Sequence, residues 1–114
     1  VRIVARNGQQ TLSIEGTLFD ERHPRLVRVN DYEVETALEG HLLFTRHADQ
    51  PGVVGALGDV LGREGINISR MQVGVAKGSD RAIAVLGVSR ALEQKTLDAL
   101  AAIAAIDKVM QVGF

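Results

Sequence analysis

The chain has 114 residues, of which 46% are hydrophobic and 24% charged. This composition predicts one ordinary globular domain, or one domain with part of a second. The formal charge of −1 creates no field that attracts nucleic acid or an anionic membrane, so neither is expected as a partner. The absence of cysteine excludes disulfides, thiolate zinc sites and a cysteine nucleophile, and a cytoplasmic location is expected.

The N-terminus carries no signal for export or membrane insertion. No segment approaches the roughly 18 consecutive apolar residues that a membrane-spanning helix needs. The chain also begins at Val1 without an initiator Met. We therefore expect it to belong to a longer protein.

The first segments of the chain predict a β-hairpin. Asn7-Gly8 favours a type I′ turn between two segments of alternating hydrophobicity. A two-residue loop at this dipeptide pairs Arg6 with Gln9 and Val4 with Thr11. The apolar residues that share one face in this pairing are Val1, Ile3, Leu12 and Ile14.

A second hairpin is predicted around Asn30-Asp31, between residues 25–29 and 32–37. Two hairpins give four antiparallel strands without a helix, and such a sheet alone would leave its apolar face in water. Its cover must come from upstream sequence, from the C-terminal half or from a second chain. The predicted partners in this hairpin are Val29 and Tyr32, Arg28 and Glu33, and Val27 and Val34.

After Glu39-Gly40 the pattern changes to strands that alternate with helices. A helix is predicted from Gly52 to Arg63, ended by a left-handed Gly65, because apolar residues recur there at spacings of three and four. The alanine-rich stretch from Ala91 to Ile106 predicts a second helix. The strands are expected at residues 41–46, 67–75, 81–88 and 108–114.

This order, β-α-β-β-α-β, is typical of the ferredoxin-like fold, in which two helices cover one face of a four-stranded antiparallel sheet. The whole chain is therefore predicted to be α+β, with a small antiparallel segment of two hairpins before the ferredoxin-like unit. One face of the second sheet is left bare. Such a sheet often gains a cover, or an extension of its edge, from another copy, so we expect a homo-oligomer.

Polar residues flank the first predicted helix. His47 and Asp49 precede it and Asn67 follows it, and we expect the three to lie close together as a small-molecule clasp. Free N–H groups at the start of a helix attract a carboxylate, while Asp49 could take an ammonium group. The simpler alternatives are that Asp49 caps the helix, His47 ends a strand and Asn67 closes a turn.

The first predicted helix is also unusually rich in glycine. Gly52, Gly55, Gly58 and Gly62 each cost a helix roughly 1 kcal/mol relative to alanine. This cost suggests that a ligand or a partner helix approaches closely.

A catalytic role for His47 and Asp49, as base and orienting acid, was weighed against binding. No nucleophile or metal-ligand set completes such a site, and His23, His41 and His47 match no zinc signature. We therefore predict no catalytic and no metal-binding residues, and binding is favoured.

Several motifs resemble the ACT domains that end the D-3-phosphoglycerate dehydrogenases. The resemblance lies in His47-x-Asp49-x-Pro51-Gly52-Val53-Val54-Gly55, in Leu61-Gly62-x-x-Gly65-Ile66-Asn67-Ile68, and in Met71 and Gly74. Preceding motifs resemble the end of the allosteric substrate-binding, or intervening, domain of the long form of that enzyme. They are Gly16-Thr17-Leu18-Phe19, Pro24-Arg25-Leu26-Val27 and Leu38-Glu39-Gly40-His41-Leu42-Leu43.

The resemblance implies that residues 1–39 are the C-terminal part of the intervening domain and residues 40–114 an ACT domain. It also implies a non-catalytic fragment that holds no cofactor, whose absent N-terminal catalytic domains use NAD. In that family L-serine binds between paired ACT domains and inhibits the dehydrogenase. The same module on an iron–sulfur L-serine dehydratase β chain, or on another ACT-containing amino-acid enzyme, is the alternative.

The family's serine contacts fall on His47, Asp49 and Asn67, with backbone groups of Val53 and Val54 beside them. With the resemblance, the clasp becomes half a clasp, which is expected to face its counterpart across an oligomer interface. Two departures, at Val75 and Ser89, leave the identity of the ligand open.

A basic group lies on or near the second hairpin. The resemblance suggests that it is part of an anion site for a phosphorylated substrate or effector, whereas the simpler interpretation is a solvated face balanced by Asp20, Glu21 and Glu33. The basic residues are Arg22, His23, Arg25 and Arg28.

Overall fold

The computed structural model describes the backbone of residues 2–7, 10–18, 24–29, 32–37, 39–75, 78 and 80–113. Two four-stranded antiparallel sheets dominate it. The first sheet has the order β1-β2-β3-β4. Its strands are β1 (Arg2–Asn7), β2 (Gln10–Leu18), β3 (Pro24–Val29) and β4 (Tyr32–Ala37).

The second sheet carries both helices and confirms the predicted βαββαβ order. Its strands lie side by side as β6-β7-β5-β8. The elements are β5 (His41–Ala48), α1 (Val53–Arg63), β6 (Ile68–Val75), β7 (Arg81–Val88), α2 (Gln94–Ala101) and β8 (Ile106–Gly113). The predicted α+β class is therefore correct.

The register of the first hairpin differs from the prediction. Ile3 lies opposite Ile14, two positions further along β2 than a loop at Asn7-Gly8 would place it. Two positions are one full period of a strand, so the same residues still share each face. Ile14 also lies opposite Val29 on β3, and both side chains are fully buried. The same apolar residues therefore still share one face, and the shift changes only which of them lie opposite each other.

The second hairpin follows the prediction near its loop and departs from it further out. Val29 lies opposite Tyr32 and Arg28 opposite Glu33, but the register shifts between Leu26 and Arg28. The predicted alignment of Val27 with Val34 therefore does not continue the ladder. Such a bulge bends the strand and increases its twist, while β4 keeps alternate residues buried.

The first sheet packs on the open face of the second sheet. The apolar residues between them form one continuous core, which includes Phe44 from β5 and Met110 from β8. Of the three covers considered, the C-terminal half of the same chain is the one found. The expectation that another copy covers the bare face of the second sheet is therefore wrong, because that face is already occupied. The residues of this core are Ile14, Val29, Tyr32, Val34, Leu42, Phe44, Ile83, Val85 and Met110.

The opposite face of the second sheet is covered by the helices. In α1, Val53, Leu57 and Leu61 recur every four residues and are buried against the sheet, as an amphipathic helix requires. The helix ends as predicted, at Gly65, whose φ of 71° is left-handed. The Gly65 N–H donates to the Gly62 carbonyl at 3.1 Å, and the Ile66 N–H donates to the Leu61 carbonyl at 2.9 Å. This pair of bonds is a Schellman motif.

The second helix is shorter than predicted, since α2 covers only Gln94–Ala101. Before it, the Gln111 side chain accepts the Leu92 N–H at 2.8 Å and donates to the Leu92 carbonyl at 3.0 Å, which holds that residue outside the helix. After it, Ile106 is the first residue of β8. The apolar spacing thus marked which residues are buried, and burial continues through the turns on either side of α2.

Within the part of the chain described here, no helix combines the length and the apolar character needed to cross a lipid bilayer.

Shortening Ile14 to Ala should destabilise both sheets together, because its side chain is fully buried in the core that they share. We expect the free energy of unfolding to fall by about 2–5 kcal/mol in urea denaturation followed by circular dichroism. Leu57→Ala, on the buried face of α1, should lower the free energy of unfolding by a similar amount. Val73 is exposed, so the control Val73→Ala should change it by less than about 0.5 kcal/mol. Two separate unfolding steps in Ile14→Ala would show that the sheets are not one cooperative unit.

Candidate functional site

One end of the second sheet collects the connections around the start of α1. The Asp49 N–H donates to the Asp80 carbonyl at 2.9 Å, and the Ala48 N–H donates to the Ala105 carbonyl at 2.8 Å. These bonds tie the β5–α1 turn to the residues that precede β7 and β8. The turn that presents the first two candidate ligand residues is therefore fixed from both sides.

His47 lies inside β5, where the strand continues to Ala48, and not after its end as predicted. It stands opposite Ala82 and Ile106 and is 3% exposed. Its position alternates with that of Arg46, so the imidazole lies on the helix-covered face. Its Nδ1 is buried and has no hydrogen-bond partner among the described residues. An unsatisfied buried nitrogen is costly, which marks His47 as a group that a ligand can satisfy.

Burial lowers the pKa of His47, because the charged imidazolium would lose its solvation. The charges of Asp49 and Asp107 oppose this shift without cancelling it. His47 is therefore neutral at neutral pH and offers one N–H donor and one ring-nitrogen acceptor.

Asp49 is exposed and does not cap α1 in the usual way. The N-cap is Gly52, with a φ of 90°, and within the described residues the Asp49 carboxylate makes no hydrogen bond to the helix. The N–H groups of the first helical turn have no partner inside the helix, and Val53 and Val54 begin that turn. A carboxylate and a set of backbone donors therefore lie side by side at the start of α1.

Asn67 lies at the other end of the sheet. β7 is antiparallel to both β5 and β6, with Ala82 opposite His47 and Val88 opposite Ile68. These two positions on β7 are six residues apart, which is about 20 Å along a strand. A clasp of His47, Asp49 and Asn67 within one chain is therefore excluded, because α1 carries the chain back to the opposite end before β6 begins. The half-clasp that faces a second chain stays a prediction.

The backbone of Asn67 is held by Ser89. The Asn67 N–H donates to the Ser89 hydroxyl at 3.1 Å, and the Ser89 N–H donates to the Asn67 carbonyl at 3.0 Å. The Asn67 residue itself is exposed. Ser89 thus extends the β6–β7 ladder with its side chain and fixes the backbone of Asn67.

An ion pair that sequence analysis missed lies near His47. Arg46 donates two hydrogen bonds to the Asp107 carboxylate, from Nε and from a terminal nitrogen, each at 3.0 Å, and Arg81 approaches the same carboxylate at 3.8 Å. The bonds to Arg46 hold the pKa of Asp107 below its usual range and raise that of Arg46. No sequence signal indicates this pair, because 61 positions separate its members.

The predicted anion site stays a prediction. Arg22 and His23 lie outside the described residues, and Arg25 is described only by its backbone, on β3. Arg28 is exposed and lies opposite Glu15 and Glu33. Among the described residues, no group of three or more His, Asp and Glu side chains could hold a metal ion.

A shallow groove of about 170 Å³ lies between α2 and β8. It contains none of the five predicted ligand residues. The candidate site is instead an open surface at the start of α1.

The glycines of α1 have no role inside the chain. A Cβ atom added at Gly55, Gly58 or Gly62 would meet nothing within 4 Å. Beside them Val54 is 46% exposed, an unusual fraction for valine on a helix that faces a core. The outer face of α1 is therefore a flat, open surface that another molecule can approach closely.

Acidification should destabilise the chain through His47. Because the pKa of His47 is lowered in the folded state, the unfolded protein binds this proton at a higher pH. The stability that comes from neutral His47 is therefore complete above the ordinary pKa of about 6.5 and is lost as the pH falls towards the folded pKa. We expect the free energy of unfolding, measured by urea denaturation, to fall as the pH is lowered from about 7 through the ordinary histidine pKa of about 6.5, and His47→Gln to flatten this dependence. His41→Gln, at an exposed position of the same strand, should leave it intact. Equal slopes in both variants would contradict the assignment.

Comparison with known proteins identifies the second sheet and its helices. Residues 41–105, more than half of the chain, match the ACT domain family. The chain is 35% identical over 97 residues to D-3-phosphoglycerate dehydrogenase 2, chloroplastic, of Arabidopsis thaliana. These residues are 85% of this chain and 15% of that protein. Over 100 residues it is 31% identical to D-3-phosphoglycerate dehydrogenase of Bacillus subtilis, with 88% and 19% covered.

A third relative is D-3-phosphoglycerate dehydrogenase of Methanocaldococcus jannaschii, 30% identical over 98 residues, which are 86% of this chain and 18% of that protein. The chain thus spans less than a fifth of the length of these relatives. The family match covers the elements from β5 to α2, around which the candidate ligand residues lie. The chain belongs to the ACT domain family.

Proposed function

We propose that this chain is an amino-acid-binding regulatory module of a D-3-phosphoglycerate dehydrogenase, with L-serine as its ligand and a second copy of the chain completing each site. The observation that carries the proposal is the separation of the candidate residues. His47 and Asp49 lie at the start of α1 and Asn67 lies beyond its end. Two copies related by a two-fold axis bring these halves together.

The geometry follows from the antiparallel packing of two equivalent helices. A two-fold axis perpendicular to α1 sets the start of one helix beside the end of the other. The 11 residues of α1 span about 16 Å, so each end of the pair holds one complete site. Each site then takes His47 and Asp49 from one copy and Asn67 from the other.

The chemistry of the half-site suits an α-amino acid. Asp49 takes the ammonium group, and the free N–H groups at the start of α1, with Val53 and Val54, take the carboxylate. The neutral imidazole of His47 takes a hydroxyl group, which favours serine over an apolar amino acid. The side-chain amide of Asn67 offers a donor and an acceptor from the second copy.

The surface around this half-site supports a second copy as the partner. β6 is an edge strand of its sheet, and Val73 and Val75 on its helix-side face are 45% and 50% exposed. Gly55, Gly58 and Gly62 allow the backbones of two α1 helices to approach closely. The first sheet already covers the other broad face, and α1 with the β6 edge combines small residues and exposed valines, which favours this surface for pairing.

Ligand binding across such an interface regulates by favouring one relative placement of the subunits. In this proposal residues 40–114 are the ACT domain, and residues 1–39 are the end of the intervening domain through which the change reaches catalytic domains that use NAD. The relatives named above are dehydrogenases, which favours this parent over the serine dehydratase.

Calorimetry with L-serine and a panel of other amino acids tests the proposal on the 114-residue chain. We expect Asn67→Ala to weaken serine binding by about tenfold or more, since hydrogen bonds to a charged ligand contribute about 1.5–3 kcal/mol. Gln72→Ala removes an exposed amide from β6, the strand that follows Asn67, and should bind as wild type does. Wild-type chain that binds no amino acid, or that turns over a substrate by itself, would contradict the proposal.

Mixing two defective variants tests whether the site is shared. His47→Gln and Asn67→Ala each damage both sites of their own dimers, whereas a mixed dimer has one intact site and one with both defects. Random mixing of equal amounts gives half mixed dimers, so about a quarter of all sites should recover. If the mixture bound no better than the separate variants while exchanging subunits, the shared site would be wrong.

Filling the glycine face of α1 should block pairing without harming the fold. A Cβ atom at Gly58 meets nothing within 4 Å, and Gly58→Gln should stabilise the monomer by roughly 0.5–1 kcal/mol through helix propensity. We expect light scattering to show a dimer for wild type at micromolar concentration and a monomer for this variant. Ala99→Gln, on the exposed face of α2, is the matched control and should remain dimeric. A monomeric wild type would contradict the interface.

A further inference from the structure

The connection between the two sheets is held by one side chain from β6. A terminal nitrogen of Arg70 donates to the Glu39 carbonyl at 2.8 Å and lies 3.2 Å from the Ala37 carbonyl. Ala37 is the last residue of β4, and Glu39 stands just before β5. One guanidinium group therefore binds two carbonyl groups of the segment that leads from β4 to β5.

The sheet is shaped to let Arg70 reach that far. Gly87 lies directly opposite it on β7, and an added Cβ there would be 3.0 Å from Arg70 Cγ and Cζ and 2.8 Å from Ser69 Oγ. The guanidinium therefore crosses β7 in the space that Gly87 leaves open. The Arg70 Nε is buried without a hydrogen-bond partner, which destabilises this arrangement to some extent.

The position of Arg70 connects it with the candidate ligand site. It follows Asn67 by three residues, and the register of β6 shifts between Ile68 and Arg70. A bulge of this kind redirects the side chains that follow it. Here it turns Arg70 towards the first sheet, where β4 packs against β6.

We infer that Arg70 is a clamp that holds the first sheet to the ACT domain and transmits amino-acid binding at Asn67 to it. The inference rests on the proposed function for its ligand and goes beyond it by naming the route out of the ACT domain. A ligand that stiffens the start of β6 stiffens Arg70, and through two carbonyl groups it stiffens β4 and the first sheet. Arg70 is thus a positioning residue that does not touch the ligand.

Amide hydrogen exchange followed by NMR tests the clamp without any ligand. Arg70→Met keeps the apolar stem but loses both hydrogen bonds, and we expect the β4 amides to exchange about tenfold faster, the factor that about 1.4 kcal/mol gives. The amides in the centre of β7 should be unchanged. Gly87→Ala, which pushes a methyl group against Arg70, should give the same pattern. Gln72→Met, on an exposed residue of the same strand, is the matched control.

Saturating L-serine tests the transmission. In wild type the β4 amides should slow further, while in Arg70→Met the ligand should bind within about threefold of the wild-type affinity and leave β4 exchange unchanged. Unaltered β4 exchange in ligand-free Arg70→Met, or a ligand effect on β4 that survives the substitution, would overturn the inference. If calorimetry detects no binding by wild type, the proposed function fails and transmission fails with it, whereas the ligand-free exchange still decides the clamp.

Discussion

The direction of the chain in β5, α1 and β6 is the constraint on which the site depends. β5 and β6 both run antiparallel to β7, so the two strands are parallel to each other and α1 must return along the full length of the sheet. His47 and Asp49 leave the sheet at one end, and Asn67 enters it at the other. Any ligand that contacts all three must draw on more than one chain. The proposed regulation by subunit placement rests on this arrangement.

The packing of the two sheets decides which surfaces remain for a partner. β7 is buried along almost its whole length, because helices cover one face of its sheet and the hairpins cover the other. Pairing through a broad face would require one of these layers to leave. The outer face of α1 and the edge strand β6 stay accessible, and both are lined by small or exposed apolar side chains. Asn67 stands just before β6 and Arg70 lies on it, so the proposed pairing surface and the connection to the first sheet share one strand.

Local sequence signals predicted the ferredoxin-like unit well and the hairpins less well. Apolar spacing and Gly65 located α1 almost to the residue, since the helix and its Schellman end depend on neighbours in sequence. In the first hairpin the register is two positions from the one that the Asn7-Gly8 turn predicted, although the same residues share each face. In the region of α2, the apolar spacing predicted which residues are buried, but it continued beyond the ends of the helix.

The sequence by itself determined the α+β class, the order of the elements, the absence of thiol chemistry and the polar residues around α1. These depend on composition, on periodicity and on motifs whose members are close along the chain. Only the tertiary structure decided that His47 is buried and neutral, that Asn67 lies far from it, and that the hairpins cover the second sheet. It alone revealed the ion pair of Arg46 with Asp107 and the hydrogen bonds that Arg70, passing over Gly87, donates to the segment before β5. The physical reason is that burial, charge pairing and strand direction depend on residues brought together from distant parts of the chain.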